Sequence, residues 1–108
     1  MYILMVKAFG DFDCPYDIPV CCCADKHVAQ RIRHTLNQYC AKHPKAEMDV
    51  KLIEDLKDTN SGLHIALRET VSEDIADKIY ANLEEICNSE SVYIYDNIFE
   101  VQEVLDIA

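Results

Sequence analysis

Leu63-His64-Ile65-Ala66-Leu67-Arg68 is the stretch on which the fold reading turns. Leu63, Ile65 and Leu67 alternate with His64, Ala66 and Arg68, the period of a strand with one buried face. Just upstream, Met48, Val50 and Leu52 also alternate, so a strand is expected from about Glu47 to Asp55. Met48–Lys57 can also be read as a helix. Between the two lies Asp58-Thr59-Asn60-Ser61-Gly62, a run of turn residues.

Outward from this centre, two helices frame the pair. Asp25 is placed to cap a helix running to about His43, with Val28, Ile32, Leu36, Tyr39 and Cys40 on one side and Pro44 ending it. Ser72, or Thr70 paired with Glu73, is placed to cap a second, with Ile75, Ile79, Leu83, Ile86 and Cys87 as its buried stripe. Tyr2 to Phe9 is β-rich and apolar on both faces, as in a central strand. Ile18 to Cys23 reads as a further strand, and Val92 to Tyr95 as the last. The tail from Ile98 to Ile107 fits a strand or a helical turn. The expected fold is α+β. It is a ferredoxin-like βαββαβ sandwich, with two helices on one face of an antiparallel sheet and an extra N-terminal β-hairpin strand. The 108 residues make one domain, 1–108.

Half of the residues are apolar, which supports a real core, and no uncharged apolar run reaches the roughly 18 residues of a membrane helix. The first residues lack the basic region and cleavage site of a signal peptide. The six cysteines (Cys14, Cys21, Cys22, Cys23, Cys40 and Cys87) are therefore expected as reduced thiols in a cytoplasm. Cys40 and Cys87 follow Leu36 and Leu83 by four, as small core residues do. Cys21 and Cys23 share one strand face and Cys22 the other. With His27 they give C-x-C-x-x-x-H, short of the three or four ligands zinc takes from a second pair, so no metal site is expected.

The net charge of −10 is unevenly placed. Residues 1–68 hold nine acidic and nine basic residues, whereas residues 69–108 hold eleven acidic ones and only Lys78. Lys26, Arg31, Arg33, Lys42 and Lys45 stand without an acid among them. A ferredoxin-like sheet sets the basic first helix beside the acidic second, so part of the asymmetry is expected as flank-to-flank attraction. Five cations do not neutralise eleven acids. Glu84 and Glu85 near a helix C-terminus also cost about 0.3–1 kcal/mol each against its dipole, so helix stability does not account for them.

Nucleic-acid binding is disfavoured, because phosphate affinity comes from Lys and Arg. No P-loop, GxGxxG, HExxH, EF-hand loop or nucleophile elbow occurs, so no catalytic residue and no cofactor is assigned. The leading expectation is a non-enzymatic interaction module or inhibitor. Its acidic surface, like a nucleic-acid mimic, meets a basic partner protein through Glu73, Asp77, Glu84, Glu85, Glu90, Asp96, Glu100 and Glu103. The rival is a homodimeric domain binding a small molecule or nucleotide on the open sheet face through Lys7, His64, Arg68, Tyr93 and Tyr95. His27, Arg31 and His34 form a basic flank on the first helix, with the two histidines too far apart to share a metal ion.

Overall fold

The computed structural model describes residues 1–9, 15–42, 48–88 and 99–104. They form three strands and four helices in the order β1 (Tyr2–Phe9), β2 (Pro15–Cys23), α1 (Lys26–Ala41), α2 (Met48–Lys57), α3 (Gly62–Thr70), α4 (Glu73–Asn88) and β3 (Phe99–Glu103). The fold is α+β, with an antiparallel sheet ordered β2-β1-β3.

Both segments expected as the middle strands are helical, so the described order is ββααααβ and not βαββαβ. The reason lies in a spacing that two periods share. Leu63 and Leu67 fall on one face at a period of 2 and at 3.6 alike, and both are buried. Ile65 decides between them: a strand would bury it with the leucines, yet it is 47% exposed. The turn cluster is a helix start. Asp58 Oδ1 accepts from the Asn60 N–H at 3.0 Å, and Ser61 Oγ accepts from the His64 N–H at 3.1 Å as the N-cap of α3. In α2 the alternation of Met48, Val50 and Leu52 is overridden by Leu52 and Leu56, buried four apart, with Ile53 packed beside them.

The helices expected on either side form as read. Asp25 caps α1 through the His27 N–H at 2.8 Å, and Ile32, Leu36 and Cys40 are fully buried. Ser72 Oγ accepts from the Ile75 N–H at 3.4 Å at the start of α4, which buries Ala76, Ile79, Leu83 and Ile86. Val28, Tyr39, Ile75 and Cys87 lie at the margins of these stripes, partly buried. Thr70, the other expected cap, turns back on α3 and donates to the Ala66 carbonyl at 2.8 Å.

The molecule has three layers. α1 and α4 lie on the sheet, and α2 and α3 pack on their outer side. The Tyr39 hydroxyl holds α2 to α1, reaching the Asp55 carboxylate and, at 2.9 Å, the Lys51 carbonyl. Burial is the main cause that drives the Tyr39 phenol well above its ordinary range, with the Asp55 contact second. Leu4 and Val6 of β1 point into the core with their partners Cys21 and Phe99, while Ile3, Met5 and Lys7 occupy the other face half-buried. The register of β1 on β2 shifts between Leu4 and Met5, leaving Val20 as the extra residue. That bulge turns Val20 inward beside Cys21, so Val20 joins the core at 1% exposure.

Each edge strand is tied by an asparagine from a helix. Asn37 of α1 donates from Nδ2 to the Phe99 carbonyl and accepts on Oδ1 from the Phe99 N–H, both at 3.0 Å, so its amide stands where another strand would pair. Asn82 of α4 donates to the Val20 carbonyl of β2. Pro15 and Pro19 lack an N–H and sit on that same edge. These contacts blunt the sheet against edge-to-edge pairing.

Among the described residues no helix is long and apolar enough to cross a membrane. The tail, read either way from its sequence, is strand from Phe99 to Glu103. The strand expected at Val92 to Tyr95, together with Cys14 and His43, lies outside the described residues.

Candidate interaction surface

α4 divides its residues by helical phase. With Ala76, Ile79, Leu83 and Ile86 turned inward, Glu73, Asp74, Asp77 and Glu85 are exposed and Glu84 is half-exposed. Glu73, Asp77, Tyr80 and Glu84 follow at spacings of four, three and four, which makes one stripe. Tyr80 packs its ring against the core, and the neighbouring Glu84 carboxylate, as a hydrogen-bonding group, is the first cause raising the phenol above its ordinary range.

The stripe is not a row of unpaired acids. Arg68 of α3 reaches Glu73 through Nη1 at 3.0 Å and Asp77 through Nη2 at 2.8 Å. Its Nε donates to His64 Nε2 at 2.8 Å, and His64 Nδ1 lies 2.7 Å from the Leu56 carbonyl. A carbonyl only accepts and a guanidinium only donates, so this geometry holds His64 in the Nδ1–H tautomer. The chain Leu56–His64–Arg68 fixes the guanidinium, and its fork then holds two carboxylates one helical turn apart. The carboxylates stay open to solvent: the Glu73 and Asp77 side chains are 80% and 63% exposed, against 32% for Arg68.

This arrangement corrects the expected pairing of α1 with α4. α3 packs against both helices, and the ion pairs among the described residues are Arg68–Glu73, Arg68–Asp77 and Lys7–Glu100. None joins α1 to α4. The cation that meets α4 comes from α3, where the sequence had suggested a strand. The signal was present as His64 and Arg68 four apart, a helical neighbour spacing as much as a shared strand face.

The remaining acids fall in several places. Glu100 reaches Lys7 across β1 and β3 at 3.7 Å, and Glu103 is exposed at the end of β3. Glu90 and Asp96 lie outside the described residues, as do Tyr93 and Tyr95. Of the described members of the expected ligand set, Lys7 stands on the sheet face turned away from the helices, while His64 and Arg68 belong to the helical layer and bond to each other. The space beside His64 and Arg68 is about 10 Å³, room for no more than a water-sized sphere.

The cysteine triplet follows the alternation expected of a strand. Cys23 is buried, Cys21 half-buried and Cys22 exposed, and all three are free thiols. Burial, followed by the neighbouring Cys23, pushes the Cys21 thiol up to about 12, and burial also raises Cys23. Among the described residues no group of three or more histidine, cysteine or acidic side chains is placed to hold a metal ion. Iodoacetamide at pH 8 is expected to alkylate Cys22 at least about tenfold faster than Cys21 or Cys23, because only the thiolate reacts. Fragment-ion mass spectrometry of the peptide carrying all three reads the order. Earlier labelling of Cys21 or Cys23 would show that β2 is turned the other way.

Comparison of the chain with known protein families, with curated protein sequences and with solved structures finds no match.

Proposed function

We propose that the protein is a non-enzymatic interaction module or inhibitor, acting in a cytoplasm, whose acidic α4 surface engages a basic surface on a partner protein. A partner surface that otherwise holds nucleic acid has the matching chemistry, since carboxylates at helical spacing present a row of negative charge. The single observation that carries the reading is the Glu73–Asp77–Glu84 stripe: acids aligned along the solvent flank of a helix whose other face is core. Arg68 supports it in a specific way. It sets the spacing and orientation of Glu73 and Asp77 while leaving both carboxylates exposed. A row fixed before contact loses less side-chain entropy on binding than a mobile one. The acidic reading is preferred to the ligand-site rival because Lys7 lies on the sheet while His64 and Arg68 lie in the helical layer.

The test is affinity capture from the native host with three baits: the wild-type chain, the triple variant Glu73→Gln/Asp77→Asn/Glu84→Gln, and Arg68→Ala. Neutral isosteres are preferable to lysines, which would face Arg68. Removing Arg68's two exposed ion pairs costs about 0–1 kcal/mol each, so both variants stay folded. The partner is expected on the wild-type bait and absent from the triple variant. On the isolated pair, association should slow roughly tenfold in the triple variant and with rising salt, as steering by opposed fields requires. Arg68→Ala removes one cation from the surface and is expected to speed association. A partner captured equally by the triple variant, or an association rate that does not fall with rising salt, overturns the proposal.

A further inference from the structure

The seam between α1 and the end of α3 carries a second charged surface, opposite in sign to α4. His27, Arg31 and His34 follow at spacings of four and three, one exposed stripe over about 10 Å of helix. With Gln30 and Thr35 of α1 and Thr70 of α3 they line an open cleft of about 320 Å³. No carboxylate is among the lining residues. Of the acids nearest in sequence, Asp25 gives Oδ1 to the His27 N–H as the cap of α1, and Glu69, beside Thr70, is exposed at the end of α3 without lining the cleft. Near the end of α3, the Ala66 carbonyl accepts from Thr70 Oγ1 at 2.8 Å and the Leu67 carbonyl from the Val71 N–H at 3.0 Å. None of the ion pairs among the described residues uses Arg31, although the chain carries twice as many acids as Lys and Arg together.

We propose that this cleft binds a small phosphate-bearing anion, with the Arg31 fork on two phosphate oxygens and His27 and His34 donating from either side. The planar guanidinium matches two phosphate oxygens at once, a fit that a lysine ammonium lacks. Imidazoles about 10 Å apart along the axis are too distant to share a metal ion and well placed to flank a group seated between them. Ligand sites run from about 300 to 1,000 Å³, so this cleft has room for a phosphate with a sugar-sized attachment. The site is independent of α4 and of the function proposed for it.

The test is a titration of the full chain by two-dimensional amide NMR. The probes are inorganic phosphate, ribose 5-phosphate and, at matched ionic strength, sodium chloride. Saturable shifts are expected at Arg31, His34 and Thr70 with the phosphates and not with chloride. Arg31→Ala should weaken apparent affinity at least tenfold, and Arg31→Lys, which keeps the charge but not the fork, by less. Arg31 is exposed, so the other resonances should stay in place and report an intact fold. Tighter binding of ribose 5-phosphate assigns the site to a phosphorylated metabolite, and equal binding assigns it to free phosphate. Non-saturating shifts, shifts shared with chloride, or affinity unchanged in Arg31→Ala overturn the proposal.

Discussion

Replacement of Asn37 by leucine is expected to destabilise the protein by about 2–4 kcal/mol, although a buried amide gives way to an apolar side chain of similar size. In the native fold the Asn37 amide closes a two-way bond with the Phe99 backbone, and Asn37 itself is only 8% exposed. Phe99 sits on the outer edge of β3, where β1 pairs on the other side. Its ring is fully buried, which holds its peptide groups away from water. Without Asn37 the Phe99 N–H has no protein partner at that edge, and an unsatisfied buried donor costs about 1–3 kcal/mol. The carbonyl fares better, because Arg33 Nε also donates to it at 3.0 Å. The loss is therefore greater than for one neutral bond and less than for two orphaned groups. Urea denaturation should show a lower midpoint at an unchanged slope. Hydrogen exchange at the Phe99 amide should quicken beyond what the global loss explains, since that bond is the one removed. A leucine variant as stable as the wild type would mean that β3 is held by its ring alone.

Asn37 also shows where the sequence stopped being informative. Its position on α1 fits the buried stripe, one residue after Leu36 and three before Cys40, yet an asparagine there carries no sign of a partner 62 residues away. Helices α1 and α4 were legible because their apolar residues repeat over four turns, and over that length a period of 3.6 cannot be mistaken for 2. α2 and α3 span only 10 and 9 residues. Over so few residues the buried positions reduce to a pair four apart, which both periods share. What separates them is the cap at Ser61 and the exposure of Ile65, and exposure is a property of the packed molecule. The acidic flank of α4 followed from its phase and was readable. Its counter-cation was not, because Arg68 meets Glu73 and Asp77 only once α3 is a helix laid beside α4. The inward turn of Val20 depends on a bulge, which strand alternation alone does not contain.

Leu83→Ala is expected to cost about 2–5 kcal/mol, the range for emptying a fully buried leucine site. Leu83 is at the centre of the α4 stripe, with Ile79 one turn before it and Ile86 one turn after, and all three are buried. α4 is packed between β2 and α2, so a cavity at Leu83 opens in the middle of the three layers and not at a margin able to collapse. The cost should therefore fall in the upper part of that range. For a domain of this size each kcal/mol lowers the melting temperature by roughly 4–8 °C, which calorimetry resolves easily. Glu84→Ala, one residue on, provides the contrast. Its side chain leaves the core and meets Tyr80 at the surface, so its removal should change stability by less than about 0.5 kcal/mol. The comparison tests the phase of the helix directly. Equal losses at 83 and 84 would rotate α4 about its axis, and the same rotation would carry Glu73 and Asp77 away from Arg68 and off the solvent flank. A large loss at Leu83 with a small one at Glu84 fixes the buried side, and with it the side on which the acidic stripe must lie.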